Sequence, residues 1–260
     1  MKNLIKKILK EYKEEEKILV IPSLKYFGDD WNVLQSFLKS KRNPKWKLLD
    51  DLNLNGKSIK SLENLQSVAG NLDLRYTEIE SLGNLQSVGG NLNLSNTPIE
   101  SLGNLQSVGG NLDLYNTPIK SLGNLQSVGG YLDLSNTPIE SLGNLQSVGG
   151  GLDLNGTPIE SLGNLQYVGE DLYLRYTEIK SLGNLQHVGG SLNLYNTPLE
   201  SLENLMSVGG YFNLMNTPLE SLGNLQYVGD WLSLRNTPIS KKYTKEEIRQ
   251  MVDVKGKIFM

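Results

Sequence analysis

Cysteine is absent from this 260-residue chain, and histidine occurs once, at His187. The absence of cysteine excludes disulfide frameworks, cysteine-ligated zinc and thiolate nucleophiles, and a single histidine excludes a multi-histidine metal site. Long hydrophobic runs are also missing, since no apolar segment has the length of a signal-peptide core or of a membrane-spanning helix. We therefore expect a soluble, cytoplasmic protein with no cofactor, no metal and no membrane partner.

Positive charge is scarce in the middle of the chain. Residues 51–240 carry 7 basic and 18 acidic side chains, a net charge of −11, whereas residues 1–50 and 241–260 have net charges of +5 and +3. An acidic body disfavours nucleic acid as a partner, because phosphates need a basic track. The charge favours a protein partner with a neutral or basic surface; the alternative is that it only keeps a regular surface soluble.

The middle of the chain is periodic. Nine units of 20 residues run from Ser61 to Ser240, and half a unit precedes them. Seven positions are identical in all nine units, those of Ser61, Leu62, Asn64, Leu65, Val68, Leu74 and Thr77. Segments of the type NLDL alternate apolar and polar residues, which predicts ten short strands that bury their leucines. Because the strands recur in the same direction, they predict a solenoid of the α/β class, mostly β, whose return segment SLGNLQSV is extended or a 3₁₀ turn.

One full period of the chain can be followed through Val108, Leu112, Leu114, Thr117, Ile119, Leu122 and Leu125. Their spacing resembles that of the leucine-rich repeat, L-x-x-L-x-L-x-x-N-x-L, over residues 46–240, and is similar in particular to the short repeats of bacteria and their viruses. Two features depart from this pattern: Thr117 stands at the asparagine position, and one extra residue separates Val108 from Leu112. The resemblance implies a horseshoe or arc with about ten parallel strands on its concave face, the face that such proteins use for partners.

Both flanks break the period and are predicted to cover the ends of the solenoid. We expect an N-terminal helical cap over residues 1–50, the solenoid over 51–240 and a short C-terminal helical cap over 241–260. Apolar residues at helical spacing predict three helices: Leu4, Ile5, Ile8, Leu9 and Tyr12; Trp31, Leu34, Phe37 and Leu38; Ile248, Met251 and Val252. A capping box of Thr244 and Glu247 starts the last helix, Gly256 is predicted to end it, and residues 257–260 are a candidate edge strand. The lysines around the first helix also leave a membrane-surface helix open as an alternative.

Three positions of each predicted strand vary between units and point away from the core. We call them the first, middle and third columns; in one unit they are Asn111, Asp113 and Tyr115. The N-terminal units hold mainly Asn, Asp and Ser there, whereas the C-terminal units hold larger side chains: Tyr173, Arg175, Tyr195, Tyr211, Met215, Trp231 and Arg235. Tyr, Trp and Arg are enriched at binding hot spots, so these residues are the main binding candidates. His187 is predicted to contact a partner at the concave face or its rim; the alternative for the aromatic residues is cross-strand packing that shields the backbone.

A ladder of aspartates occupies the middle column in the centre of the repeats. Asp113, Asp133 and Asp153 are predicted to lie on adjacent strands about 4.8 Å apart, where like charges repel and gain from a cation or a Lys or Arg of a partner. We include them among the binding candidates. Calcium needs six to eight oxygen ligands and a glycosidase needs a cleft that excludes water, so we predict neither a metal site nor catalysis here.

These observations predict a non-enzymatic module for protein–protein interaction that binds its partner on the C-terminal half of the concave face. We expect a monomer. The identical Ser, Asn and Thr positions are predicted to satisfy backbone groups in turns, with Thr77 and its equivalents facing inward. Two alternatives stay open: a carbohydrate-binding module, because aromatic faces beside Asp and Asn suit sugar rings, and a structural or ice-binding scaffold.

Overall fold

The computed structural model describes residues 18–260, which form a mostly β, parallel solenoid of about nine turns. Each turn contributes one short strand to each of two parallel sheets. In one turn, for example, Ser107–Val108 belongs to one sheet, and Leu112–Asp113, after a turn at Gly109 and Gly110, belongs to the other. The solenoid predicted from the 20-residue period is confirmed. The sheet formed by strands such as Ser107–Val108 is not part of that prediction.

The first sheet has 12 strands, all parallel, and begins with two strands that precede the repeats. Its strands are β1 (Ile18–Ile21), β2 (Lys45–Leu48), β4 (Leu65–Val68), β6 (Ser87–Val88), β8 (Ser107–Val108), β10 (Ser127–Val128), β12 (Ser147–Val148), β14 (Tyr167–Val168), β16 (His187–Val188), β18 (Ser207–Val208), β20 (Tyr227–Val228) and β22 (Asp253–Val254). The return segment SLGNLQSV is predicted to be extended or a 3₁₀ turn. Its last residues form the strands of this sheet that lie in the repeats, so that part of it is extended.

The second sheet has 11 strands and contains the ten strands that the alternation predicts. They are β3 (Leu52–Asn53), β5 (Leu72–Asp73), β7 (Leu92–Asn93), β9 (Leu112–Asp113), β11 (Leu132–Asp133), β13 (Leu152–Asp153), β15 (Leu172–Tyr173), β17 (Leu192–Asn193), β19 (Phe212–Asn213), β21 (Leu232–Ser233) and β23 (Ile258–Phe259). The last strand pairs with β21 and confirms the predicted edge strand. Neighbouring strands align residues 20 apart, such as Leu132 and Leu152, so each column is a straight row across the sheet.

One continuous apolar core fills the space between the sheets, from Leu19 to Ile258. Every unit buries its leucines, its valine and its Ile or Leu, and Phe212 replaces a leucine without leaving the core. Burying one such side chain contributes roughly 1.5–3 kcal/mol. Because each unit covers the apolar surface of the next, the core depends on stacking, as in other solenoids.

The invariant polar residues satisfy backbone groups at the corners, as predicted. Thr77 and its eight equivalents are only 1–4% exposed, and each donates its hydroxyl to the carbonyl of the leucine three residues earlier at 2.6–3.0 Å. Ser61 and its equivalents accept the backbone N–H two residues later at 3.0–3.2 Å. Asn204 donates to the carbonyl of Gly183 in the preceding turn at 3.0 Å.

Helices flank the strands at both ends of the described chain. A 3₁₀ helix spans Leu24–Phe27, α1 spans Trp31–Ser40, α2 spans Ile239–Lys242 and α3 spans Lys245–Met251. Asp30 caps α1 by accepting the backbone N–H groups of Asn32 and Val33, and three apolar residues of that helix are buried: Trp31, Leu34 and Leu38.

The predicted capping box of Thr244 and Glu247 begins α3, but that helix ends at Met251, so the expectation that Gly256 ends it is wrong. The main chain turns into β22 well before this glycine. The first predicted helix, with Leu4 to Tyr12, lies outside the described residues. No helix within residues 18–260 has the length and apolar character needed to cross a bilayer.

Candidate functional site

The first, middle and third columns are the outward side chains of the 11-stranded sheet. In the N-terminal half, Asn and Asp residues of the first two columns bind the solenoid's own backbone. In the first column, Asn91 Oδ1 accepts the N–H of Asn111 in the next turn at 2.7 Å. In the middle column, Asp113 Oδ1 accepts the N–H of Tyr115 at 3.0 Å. All eight Asn and Asp residues of the middle column make this turn bond, at 2.9–3.2 Å. These polar residues therefore stabilise the strands and turns, a role that the sequence reasoning missed.

The aspartate ladder is present as predicted, with Asp113, Asp133 and Asp153 on adjacent strands. Each uses one carboxylate oxygen in the turn bond, so the ladder has a structural role whether or not a partner binds it. Burial raises the pKa of Asp153, and the nearby charge of Asp133 acts in the same direction. Among residues 18–260, no group of three or more His, Asp or Glu side chains is arranged to hold a metal ion.

Tyr131 covers a gap in the first column. The next residue of the column is Gly151, and a Cβ there would lie 3.0 Å from two ring carbons of Tyr131. The phenol oxygen reaches to 3.4 Å from Asp153 Oδ2. Burial, together with the charge of Asp153, raises the pKa of Tyr131 well above its usual range. The ring thus shields the backbone at the one unit that has no side chain in this column.

The largest aromatic group of the site lies at the C-terminal end of the sheet. Tyr211 and Trp231, on adjacent turns, stack with ring centroids 4.5 Å apart and an angle of 3° between the ring planes. The edge of Phe259 in β23 meets Trp231 at 6.0 Å and 81°. Arg235 lies over the ring of Phe259 at 4.9 Å. We call these four residues the terminal cluster; Phe259 was missed in the sequence because it follows the repeats.

A second group lies three turns earlier. Tyr176 and Tyr195 meet edge to face at 5.8 Å and 89°, and Arg175 lies 5.5 Å from the first ring and 6.0 Å from the second. We call these three residues the Arg175 cluster. Tyr176 is 57% exposed and has a left-handed φ of 58°, at a turn position where most units have Asn or Gly. The sequence reasoning missed it because it concentrated on the three columns.

Two further candidates share turns with the clusters, Tyr173 with Arg175 and Met215 with Tyr211. Tyr173 donates its hydroxyl to Asp171 Oδ2 at 2.8 Å, and this hydrogen bond together with partial burial raises the pKa of Tyr173 to about 12. Met215 is half-buried in the third column, and its N–H donates to Asn213. Both side chains belong to the same sheet as the two clusters.

His187 does not share that sheet. It lies in β16 of the 12-stranded sheet, beside Tyr167 in β14, and its Nδ1 is 2.8 Å from the hydroxyl oxygen of Ser207. Tyr227 lies in the same sheet, in β20. His187 therefore does not lie in the sheet of the two clusters, because the return segment carries strands of its own. Its contact with a partner at the concave face or its rim stays a prediction.

Comparisons of this chain with protein-family models, with curated proteins and with solved structures find no match.

Proposed function

We propose that this chain is a leucine-rich-repeat-like scaffold that binds a protein partner without catalysis. Its binding surface is the terminal cluster, the Arg175 cluster and two side chains that share turns with them, Tyr173 and Met215. The sheet that carries them is the concave side of the arc, and the segments 1–50 and 241–260 act as caps. The apolar residues that α1 and α3 bury in the common core support the capping role.

One observation carries the proposal: the C-terminal turns replace side chains that stabilise the fold with side chains typical of interfaces. In the first column, Tyr211 and Trp231 stand where N-terminal turns have asparagines that accept a backbone N–H. In the middle column, Tyr173 and Ser233 replace the Asn or Asp of the other eight turns. Large aromatic side chains at such positions bring contact area with few rotatable bonds, which is what interface anchors need.

The ring geometry favours a protein over a sugar. A sugar ring stacks on an open aromatic face, but Tyr211 and Trp231 each use one face to stack on the other, and Phe259 meets Trp231 at 81°. The stacked pair therefore offers a sugar fewer open faces than two separate aromatic rings would. The ring edges and the guanidinium groups remain at the surface, and these suit side chains and backbone groups of a protein. The Thr row that an ice-binding scaffold would expose is buried and hydrogen-bonded.

The test is affinity capture from a lysate of the producing cells with the full chain as bait. A Tyr211→Asn/Trp231→Asn variant restores the asparagine of other turns, which leaves the backbone bonds of the first column intact. The matched control is Tyr115→Ser, since Tyr115 is 40% exposed in the third column outside both clusters and the adjacent turns have serine there.

We expect the captured protein to be retained by wild type and by Tyr115→Ser. The double variant should bind it at least about thirtyfold more weakly, the effect of losing one hot-spot anchor of about 2 kcal/mol. Equal retention by all three baits, with unchanged circular dichroism, would refute the proposed surface. Binding of glycans on an array, lost in the double variant, would replace the protein partner by a carbohydrate.

A further inference from the structure

Three arginines occupy the third column, and the first of them is neutralised within its own turn. Arg75 forms a two-point ion pair with Asp73 of the middle column: Nε to Oδ1 at 3.0 Å and Nη2 to Oδ2 at 2.7 Å. An Asp two residues before an Arg is therefore well placed to bind that guanidinium. This pair lowers the pKa of Asp73, against the effect of its partial burial.

The other two arginines have no such aspartate. The middle column holds Asn or Asp in eight of its ten turns, and the two exceptions are Tyr173 and Ser233. These are the turns of Arg175 and Arg235. Within residues 18–260, neither guanidinium has a carboxylate within 4.0 Å. The sequence departs from its own pattern at the two places where an aspartate would bind the arginine internally.

Both guanidinium groups are held by aromatic rings instead. Arg175 lies against Tyr176 and Tyr195, and Arg235 lies 4.9 Å from the ring of Phe259. Contact with a ring covers one face of a guanidinium and restricts its rotamers, while the N–H groups along its edge stay available. A planar edge of this kind binds a carboxylate through two parallel hydrogen bonds.

The charges on the sheet are separated along its length. Four aspartates lie in successive turns of the first and middle columns: Asp113, Asp133, Asp153 and Asp171. Arg175 lies in the same turn as Asp171, one turn beyond Asp153, and Arg235 lies three strand spacings further on, which is about 14 Å. Such a layout orients a partner, because only one direction puts acidic groups over the arginines and keeps them from Asp113, Asp133 and Asp153.

We infer that Arg175 and Arg235 each bind a carboxylate of the partner protein, and that the two carboxylates are about 14 Å apart. The inference rests on the proposed function and adds to it the chemical groups of the partner that the two arginines bind. A polyphosphate is disfavoured, since its continuous negative charge would extend over the aspartates.

The probe is a synthetic peptide with two glutamates separated by three glycine or serine residues, which in extended form places them about 13 Å apart. Its binding to the full chain is followed by the NMR signals of the arginine side chains at low salt. Arg175→Gln and Arg235→Gln remove one guanidinium each, and Arg75→Gln is the matched control in the same column. A peptide with glutamine in place of glutamate controls for the charge.

We expect saturable binding of the glutamate peptide that Arg175→Gln and Arg235→Gln each weaken at least about fivefold, the effect of one charge-assisted contact of about 1 kcal/mol at an exposed site. Arg75→Gln should change it less than twofold. No saturable binding, or equal weakening by all three substitutions, would overturn the inference. A captured partner that needs Tyr211 and Trp231 but binds Arg175→Gln/Arg235→Gln unchanged would overturn it as well and leave the proposed function standing.

Discussion

Replacing Tyr76 with asparagine is expected to raise the free energy of unfolding by about 1 kcal/mol, although it removes a large side chain. Tyr76 has a φ of 55° and is 64% exposed. A left-handed backbone costs an ordinary residue about 1–2 kcal/mol, and asparagine adopts it more readily. The next turn has Asn96, whose Oδ1 accepts from Asn116, so a new asparagine would extend an existing row.

Tyr176→Asn is the matched second variant. Its φ is 58°, and the next turn has Asn196 at the same position, so the relief of strain is the same. However, Tyr176 also contacts Tyr195 and Arg175. The contact between the two rings contributes about 0.5–1.5 kcal/mol, and the cation–π contact contributes about 0.5–1 kcal/mol. We therefore expect Tyr176→Asn to leave the stability unchanged or lower it by up to about 1.5 kcal/mol.

The two variants are compared by urea denaturation of the full chain, followed by circular dichroism. The expected difference between them, about 1–2.5 kcal/mol, measures how strongly the Arg175 cluster holds together. Equal stabilisation by both substitutions would show that the cluster contributes nothing. Destabilisation by Tyr76→Asn would refute the assignment of strain to these tyrosines.

Two further substitutions test the packing and electrostatics of the turns. Gly129→Ala would place a Cβ on the carbonyl oxygen of Gly109, so we expect it to lower the free energy of unfolding, measured with urea, by about 3 kcal/mol. Ala69→Gly is the control at the equivalent position, where alanine is native, and should lower it by less than about 1 kcal/mol. Equal effects of the two substitutions would contradict the tight turn. For Asp153, the folded-state pKa is raised by burial, so its contribution to stability is present below pH 3.8 and is lost as the pH rises through the folded-state pKa. Asp153→Asn keeps an acceptor for the N–H of Asn155 and should be more stable than wild type at pH 7 but not at pH 3; a larger gain at pH 3 would contradict this.

The 11-stranded sheet could be predicted because its strands carry a strong signal. Leu112 and Leu114 bracket a polar residue, and the same pattern recurs in every unit. The 12-stranded sheet could not be predicted in this way, because the apolar residues beside a strand such as Ser107–Val108 are Leu105 and Val108, three positions apart, and so do not alternate with polar residues. As a result, the placement of His187 could not be predicted either.

The columns were predicted correctly, but the use of their side chains was not. The sequence shows that Asn91 and Asp113 are polar and outward; only the coordinates show that both accept backbone N–H groups. Phe259 continues the middle column beyond the repeats, in register with Ser233, whereas Tyr176 lies outside the columns. They join the two clusters through the edge strand and a left-handed turn, respectively. The repeats therefore predicted the scaffold, whereas contacts between turns determine the candidate site.

The most direct test of the proposed binding surface is hydroxyl-radical footprinting of the chain with and without its captured partner. The tyrosines report on both sheets: Tyr176 and Tyr115 mark the two halves of one sheet, and Tyr167 and Tyr227 mark the other. If the partner binds this surface, it protects Tyr176 and Trp231 and leaves Tyr115, Tyr167 and Tyr227 as reactive as before. Protection of Tyr167 and Tyr227, with Trp231 unchanged, would place the partner on the 12-stranded sheet and contradict the proposed binding surface.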